Sequence, residues 1–335
     1  MLVPDDWTSS KKTARCAICD VCLPAKHFMI REMFFGTREA FEYFECSNCG
    51  CIQIVEQPSD MARHYPESYY SLGNPKWIPP RLGAMKSLAK RARLDLHIFL
   101  HRNFPALRTP FGPDIKDVVL DRLIKKPVLR AGSRILDIGC GRGQRLLEWR
   151  YYGFSDLLGM DPFVPELDYG NGVMIYNKWE SIEAQKVDFI MLNHSLEHIP
   201  DQLATLQRIH RCLRPDRFVV VRIPTRDSEA WSLYGTNWVQ LDAPRHFFIH
   251  SVRSIEILAS RAGFVLRKVE YDSTEFQFWA SDQYARDVPL MDPSSYLNDK
   301  SALSKVELAE FRARADTLNA KGRGDQAIFY LQKTH

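Results

Sequence analysis

Residues 133–144 read Ser-Arg-Ile-Leu-Asp-Ile-Gly-Cys-Gly-Arg-Gly-Gln, and this stretch decides the fold. The apolar run Ile135–Ile138 predicts a buried strand, and the alternating glycines after it predict a tight turn. The segment 144–152 is compatible with a helix. A strand, a glycine turn and a helix N-terminus together leave backbone N–H groups open to polar groups. This is the place where an open α/β sheet binds its ligand.

From Ser133 onward, predicted strands and helices alternate, which is typical of a parallel sheet with crossover helices. The predicted strands lie at 135–138, 156–161, 173–176, 187–192, 264–270 and 326–332, and a turn with the fifth strand occupies 213–224. The predicted helices of the chain lie at 82–104, 114–125, 144–152, 202–212, 255–262 and 304–318. We therefore predict an α/β fold with a Rossmann-like, seven-stranded sheet.

The bulk composition describes an ordinary soluble globular protein. Apolar residues make up 45% of the 335 residues, charged residues 26%, and the formal charge is +4. This charge is too mild to indicate a nucleic-acid partner by itself, and no apolar run has the roughly 20 residues of a membrane helix. The first residues show no signal peptide, so the expected location is the cytoplasm.

A chain of this length is expected to form one large domain with smaller additions. We predict a zinc-binding ribbon at 1–60, and a tyrosine loop with a helical linker or lid at 61–130. The large domain is predicted at 131–335, with a substrate-covering insertion at about 272–322 that contains several aromatic residues.

Six of the eight cysteines crowd between Cys16 and Cys51. Two C-x-x-C pairs, formed by Cys16 with Cys19 and Cys46 with Cys49, supply the four soft ligands that a tetrahedral Zn²⁺ prefers. Alternating aromatic and acidic residues between the pairs predict a strand. We predict a structural zinc site, with either of the two surplus cysteines, Cys22 and Cys51, as a possible replacement for a neighbouring ligand.

The linker contains two features with more than one interpretation. Tyr69 and Tyr70 lie in a proline- and serine-containing loop, where they either pack onto the large domain or reach over cofactor or substrate. The helix predicted at 82–104 carries a basic face, interpreted either as solvated or as a contact for phosphate-bearing substrate or RNA. The basic residues of this face are Lys86, Lys90, Arg91, Arg93 and Arg102.

Asp161 ends the second strand of the sheet and follows Gly143 by about the interval at which such folds place an acid against ribose hydroxyls. The turn after the third strand contains Trp179 and Glu180, where a ring can stack on adenine and a polar group can bind its amine. The pattern D-x-G-x-G-x-G over Asp137–Gly143 resembles the S-adenosylmethionine (SAM) loop of class I methyltransferases.

A second motif makes this resemblance more specific. The loop Leu196-Glu-His-Ile-Pro-Asp201 after the fourth strand is similar to that of class I SAM-dependent methyltransferases acting on small molecules, sugars and quinones. The resemblance implies SAM as cofactor. The implied cofactor-binding residues are Asp137, Gly139, Cys140, Gly141, Gly143, Asp161, Trp179, Glu180, Asn193 and His194.

The segment Trp238–Ser251 contains W…P-x-H-x-x-x-x-S and resembles a subset of this family with N-terminal zinc ribbons, including sugar C-methyltransferases. The resemblance implies that His246 faces the acceptor, and we predict it as the general base, oriented by His198 or Glu197. The related enzymes have Glu before this histidine, whereas Arg245 stands here. We predict Arg245, with Tyr69 and Tyr70, as substrate-binding.

The predicted reaction is methyl transfer from SAM to a small-molecule acceptor, most simply a sugar or nucleotide-linked sugar, by O- or C-methylation. Two alternatives remain open. A zinc-ribbon RNA methyltransferase would use the basic helix, although the loop after the fourth strand lacks an N-P-P-Y motif. A non-catalytic SAM-binding scaffold would also retain the glycine turn. The sequence does not define the acceptor, the methylated atom or the oligomeric state.

Overall fold

The computed structural model describes residues 12–66, 73–80, 83–104, 115, 117–126 and 128–334. Two compact units are present, each discontinuous in sequence. The first comprises the described parts of Met1–His64, His194–Thr205 and Val221–Tyr330. The second comprises those of Tyr65–Asn193, Leu206–Val220 and Leu331–His335. No helix among the described residues is long and apolar enough to cross a membrane.

The strands, in chain order, are β1 (Thr13–Arg15), β2 (Cys22–Pro24), β3 (Lys26–Arg31), β4 (Ala40–Glu45), β5 (Ile52–Ile54), β6 (Arg134–Ile138), β7 (Asp156–Met160), β8 (Leu167–Asp168), β9 (Val173–Tyr176), β10 (Val187–Asn193), β11 (Leu213–Pro224), β12 (Phe248–Ile249), β13 (Phe264–Tyr271) and β14 (Gln326–Lys333). The helices are α1 (Ala84–Asn103), α2 (Val118–Ile124), α3 (Gln144–Tyr152), α4 (Glu180–Glu183), α5 (Gln202–Cys212), α6 (Glu229–Tyr234), α7 (Val252–Arg261), α8 (Phe276–Ala285) and α9 (Lys305–Ala320).

The large sheet has the strand order β13-β14-β11-β10-β6-β7-β9-β8. Its central strand β6 pairs in parallel with β7 on one side and β10 on the other. Ile135, Leu136 and Ile138 are at most 2% exposed, as expected for a parallel strand that is covered on both faces. The predicted α/β fold with a seven-stranded sheet is confirmed. One short strand, β8, is added at the edge, antiparallel to β9.

The boundaries of several elements agree with the sequence patterns. Helices α3 and α5 and strand β9 begin and end at the predicted residues, whereas α2 begins four residues later than the pattern indicated. Within β11, Asp216 has a φ of 59°. Aspartate tolerates this left-handed conformation better than most residues.

A second sheet has the order β12-β5-β4-β3, and all its strands lie in the first unit. Tyr43 and Phe44 of β4 are both buried, and because neighbouring residues of a strand point to opposite faces, both faces of β4 are covered at this point. The edge partner of β5 is β12, which comes from the Trp238–Ser251 motif, and Phe248 pairs there with Gln53. Distant parts of the sequence therefore build one sheet.

The first unit also contains a buried charge network around Arg245, which is 0% exposed. Its Nη2 lies 3.0 Å from Oε1 of Glu32, and its Nε lies 3.0 Å from Oδ2 of Asp242. The Glu32 carboxylate also accepts backbone N–H groups from Phe35, Gly36 and Thr37. Each charge thus has a partner, which is the condition under which charges can be buried.

Replacing Glu32 with glutamine should strongly destabilise the protein. The Glu32→Gln amide cannot neutralise the buried guanidinium, and the expected loss in free energy of unfolding is about 3–5 kcal/mol. Urea denaturation followed by fluorescence would measure it. As a control, Glu229→Gln removes an exposed ion pair to Arg323 and should cost less than about 1 kcal/mol. Equal losses for the two variants would contradict the importance of the network.

Candidate active site and zinc site

The glycine turn after β6 adopts the conformation that glycine permits most readily. Gly139, Gly141 and Gly143 have φ values of 75°, 54° and 81°, all in the left-handed region. A Cβ at Gly143 would lie 2.8 Å from Cδ1 of Ile175, so this position excludes larger residues for steric reasons as well. Gly143 is the N-cap of α3, and the turn therefore leads directly into the helix N-terminus.

Asp161, which follows β7, is hydrogen-bonded to this turn. Its Oδ2 accepts the backbone N–H of Gly141 at 2.8 Å, and its Oδ1 accepts that of Phe163 at 3.0 Å. Asp137 is also buried, and burial raises its pKa to about 7. The structure thus brings together the turn and the acid that the sequence spacing selected for ribose recognition.

The other predicted cofactor-binding residues lie at the ends of elements in the described chain. Trp179 is half-buried in the turn before α4, with the Arg208 guanidinium 5.8 Å from its ring centroid, and Glu180 is exposed. Asn193 is the last residue of β10. Cys140 lies in the glycine turn, where burial raises the pKa of its thiol well above the usual value. Their contacts with SAM stay predictions.

Four cysteines of the first unit converge on one point. The sulfur atoms of Cys16, Cys19, Cys46 and Cys49 all lie within 4.8 Å of one another, with 3.5 Å between Cys16 and Cys49 and 3.6 Å between Cys19 and Cys46. Sulfurs bound tetrahedrally to Zn²⁺ at about 2.3 Å would be about 3.8 Å apart. The donor set and its spacing therefore fit zinc, which would hold the ribbon together and would leave no position for a reacting molecule.

The surroundings of the cluster also suit a metal. The backbone N–H groups of Cys19 and Cys49 point to the sulfurs of Cys16 and Cys46 at 3.5 Å, and Nε2 of Gln53 donates to Cys16 at 2.9 Å. Such donors stabilise thiolates. The two surplus cysteines lie outside the cluster: Cys22 is exposed, and the sulfur of Cys51 lies 3.9 Å from Nδ1 of His250.

A carboxylate and three histidines form a second cluster in the same unit. Glu197 lies in the single turn Leu196–His198 after β10 and is 1% exposed. Its Oε1 lies 3.4 Å from Nδ1 of His194 and 4.0 Å from Nε2 of His246. The rings of His198 and His246 have centroids 4.7 Å apart. The sequence predicted that His198 or Glu197 orients His246, and the structure places these three residues together, with His194 beside them.

Hydrogen bonds determine which nitrogen of each imidazole carries a proton. Nδ1 of His246 lies 2.7 Å from the Gln240 carbonyl oxygen, and Nδ1 of His198 lies 2.8 Å from that of Arg245. A carbonyl only accepts, so both Nδ1 atoms must donate and Nε2 is the acceptor nitrogen in each neutral ring. This tautomer is the one that a general base requires, and burial lowers the pKa of His198 to about 4.

His194 has the opposite tautomer. Its Nε2 lies 2.8 Å from Nη1 of Arg222, which can only donate, so the proton of a neutral ring sits on Nδ1, facing Glu197. Burial opposes ionisation of Glu197, but the neighbouring imidazoles, His194 first, hold its pKa at about 2. His194 also has a φ of 50°, which is uncommon for a residue other than glycine.

Sequence reasoning missed three residues that support this cluster: Glu32, Arg222 and Asp242. Arg222 had a recognisable signal, because it is a lone charge within the apolar run of β11, and its Nε donates to Asp272 at 2.8 Å. Arg245, predicted as substrate-binding, has its guanidinium fully engaged by Glu32 and Asp242. Its role toward substrate stays a prediction, and Tyr69 and Tyr70 lie outside the described residues.

Comparison with known proteins gives a consistent picture. Residues 113–269 match the family model described as a methyltransferase domain. A ubiquinone biosynthesis O-methyltransferase from Actinobacillus pleuropneumoniae is 28% identical over 159 residues, which cover 42% of this chain and 68% of the relative. EEF1A lysine methyltransferase 2 from Danio rerio is 29% identical over 140 residues, covering 42% of this chain and 55% of that protein.

Solved structures resemble the chain more distantly. A mycolic acid cyclopropane synthase complexed with S-adenosylhomocysteine aligns with a TM-score of 0.42 and 15% identity, covering 76% of this chain and 99% of the other. A SAM-dependent methyltransferase from Archaeoglobus fulgidus aligns with a TM-score of 0.39 and 18% identity, covering 64% and 91%.

Substituting Asp161 should weaken cofactor binding. Asp161→Ala removes a charged acceptor for ribose hydroxyls and releases the Gly141 N–H, so the dissociation constant for SAM should rise about 10- to 100-fold. Isothermal titration calorimetry would measure this. The matched control is Asp121→Ala, which removes only an exposed pair with Lys125. Unchanged SAM affinity in Asp161→Ala would contradict the assignment.

The purified chain should contain about one zinc ion, bound by the four clustered cysteines. Cys46→Ser should reduce the zinc content to near zero and lower the melting temperature, because the metal closes the ribbon. Cys22→Ser changes an exposed cysteine outside the cluster and should retain zinc. Mass spectrometric metal analysis tests both variants. Full zinc content in Cys46→Ser would refute this ligand set.

Proposed function

Since this chain contains a class I SAM-dependent methyltransferase domain, we propose that it methylates an oxygen atom of a small-molecule acceptor, most simply a sugar or nucleotide-linked sugar. The observation that carries the proposal is the cluster of Glu197, His198 and His246, of which the first two follow the carboxyl end of β10 in the chain. In α/β sheets of this kind, the loops after the strands supply the residues that act on ligands.

The comparisons support oxygen as the methylated atom. Several relatives are named as ubiquinone biosynthesis O-methyltransferases. A sugar-type acceptor is favoured by the zinc-ribbon arrangement and by the Trp238–Ser251 motif, which resemble those of sugar methyltransferases. An aliphatic hydroxyl has a high pKa and needs a group that removes or displaces its proton near neutral pH.

The chemistry of methyl transfer makes the cluster relevant. The acceptor oxygen attacks the sulfonium methyl in line, the C–S bond breaks as the C–O bond forms, and S-adenosylhomocysteine leaves. Loss of the hydroxyl proton makes the oxygen a better nucleophile. Nε2 of His246 carries the lone pair for this step, because Nδ1 is held by the Gln240 carbonyl. Proton removal therefore depends on His246.

The alternative of an RNA substrate gains little support from the basic helix α1. Nζ of Lys90 donates to the Tyr151 carbonyl at 3.0 Å and lies 4.0 Å from the centroid of its ring. Nε of Arg102 donates to the Ile124 carbonyl at 3.0 Å. Lys90 and Arg102 thus contribute to intramolecular contacts, which leaves a smaller charged face than the sequence indicated.

The proposal is tested with methyl-labelled SAM and a deproteinised, nuclease-treated extract. Label should appear in a small hydroxylated molecule, identified by mass spectrometry. At saturating SAM, His246→Ala should reduce the initial rate by about 10²- to 10⁴-fold. His101→Gln, which changes a histidine of α1, should stay within a few-fold of the unsubstituted chain.

Three outcomes would contradict the proposal. Label found only in RNA of an untreated extract would indicate an RNA methyltransferase. Absence of S-adenosylhomocysteine with every extract would indicate a binding module without turnover. Full activity of His246→Ala would remove His246 from the reaction.

A further inference from the structure

We propose that Glu197, His198 and His246 form a binding site for a divalent transition-metal cation, separate from the four-cysteine zinc site. One ligand atom from each of the three residues lies within 4.8 Å of the others. Two imidazole nitrogens and one carboxylate oxygen are the donor set of many catalytic sites for such cations. The role of this cation site in methyl transfer rests on the proposed function, whereas the existence of the site does not.

The unsatisfied carboxylate is the first observation that points to a ligand. Glu197 is 1% exposed, and neither of its oxygens accepts a hydrogen bond from any described residue. The His194 Nδ1–H faces Oε1 at 3.4 Å, too far for a strong hydrogen bond to an anion. A buried carboxylate without close donors is expensive, and a bound cation would compensate for its lost hydration.

The fixed tautomers are the second observation. His198 and His246 each donate Nδ1–H to a backbone carbonyl, which leaves Nε2 as the acceptor nitrogen of the ring. Metal-binding histidines are typically held in this way, with the second ring nitrogen bonded to a carbonyl or carboxylate. The backbone of Gln240 and Arg245 therefore orients both rings before any cation binds.

The distances distinguish a cation site from a simple ion pair. Nε2 of His246 lies 4.0 Å from Oε1 of Glu197, which is too long for a direct hydrogen bond between an imidazolium and a carboxylate. Three atoms mutually separated by 4.8 Å or less have a common centre no more than 4.8/√3, or about 2.8 Å, from each. Metal–ligand distances of about 2.0–2.2 Å then require shifts of less than about 1 Å.

Glu197, His198 and His246 prefer different cations from those that the four cysteines of the ribbon prefer. Thiolates favour soft cations, whereas imidazole and carboxylate ligands also bind Mn²⁺, Fe²⁺ and Co²⁺. Three protein ligands leave coordination positions open, which a structural four-cysteine site does not. Those positions suit hydroxyl oxygens of an acceptor.

A cation at this site would change how the acceptor is activated. Coordination of the hydroxyl oxygen lowers its pKa, and the proton passes to solvent; the oxygen then attacks the SAM methyl as the C–S bond breaks. In the cation-bound protein, Nε2 of His246 is a ligand and not the base. Proton removal would still depend on His246, because His246 would hold the cation that lowers the pKa of the hydroxyl.

The test uses the zinc-loaded full chain titrated with MnCl₂ and followed by electron paramagnetic resonance of free Mn²⁺. We expect saturable binding of about one Mn²⁺ per chain, without release of zinc. Glu197→Gln and His246→Gln should each weaken Mn²⁺ binding about tenfold or more. His101→Gln is the matched control, because it changes a histidine of α1 outside the cluster. It should change Mn²⁺ affinity by less than about threefold.

Zinc content and thermal melting of every variant show whether it is folded, so that lost binding cannot be attributed to unfolding. Absence of saturable Mn²⁺ binding, or binding unaffected by Glu197→Gln, overturns the site.

Labelled methyl transfer separates this inference from the proposed function. If Mn²⁺ binds and Glu197→Gln abolishes this binding, but no extract gives a labelled product, the cation site is supported and the proposed function is contradicted. A labelled small-molecule product whose rate is unchanged after removal of the cation, with zinc still bound, retains the function and contradicts the metal-assisted step.

Discussion

The first unit depends on the burial of one guanidinium between two carboxylates. Arg245 contacts Glu32, which directly follows β3, through Nη2, and it contacts Asp242 through Nε. The backbone carbonyl of Arg245 accepts the Nδ1–H of His198. A buried charge is tolerated only when its partners are in place, so these contacts must form together. Arg245 therefore links the ribbon segment, the loop before β12 and the orientation of a candidate catalytic histidine.

The ribbon segment that contains the four clustered cysteines contributes to the same arrangement. The four-cysteine cluster lies at the carboxyl end of β4 and before the start of β5. Strand β5 in turn pairs with β12. The phenol of Tyr43 donates to the carbonyl of His246 at 2.9 Å, and Ser251 Oγ donates to the Cys49 carbonyl at 2.5 Å. The ribbon thus contacts the Trp238–Ser251 segment at His246 and at its carboxyl end.

Local patterns predicted much of the fold because the signals were local. The apolar run before alternating glycines predicted β6 and its turn, and the limits of α5 followed from Pro200-Asp201 before it and from its apolar spacing. Strand β8 was missed because two residues carry no periodicity. Pairing of β12 with β5 was also missed, since hydrogen-bond partners about 200 residues apart leave no local trace. Cysteine spacing, in contrast, predicted a cluster that joins distant strands.

At the candidate site, the carboxylates that lie near His246 in space are not its neighbours in the sequence. In the resembling sugar methyltransferases a glutamate precedes the histidine, whereas Arg245 precedes His246 here. In space, His246 Nε2 lies 3.8 Å from Oδ2 of Asp242 and 4.0 Å from Oε1 of Glu197. The first carboxylate is neutralised by Arg245, whereas the second accepts no hydrogen bond from the described residues. Two carboxylates therefore face His246 although neither is its neighbour in the sequence, and Arg245 allows one of them, Asp242, to be buried as part of an ion pair.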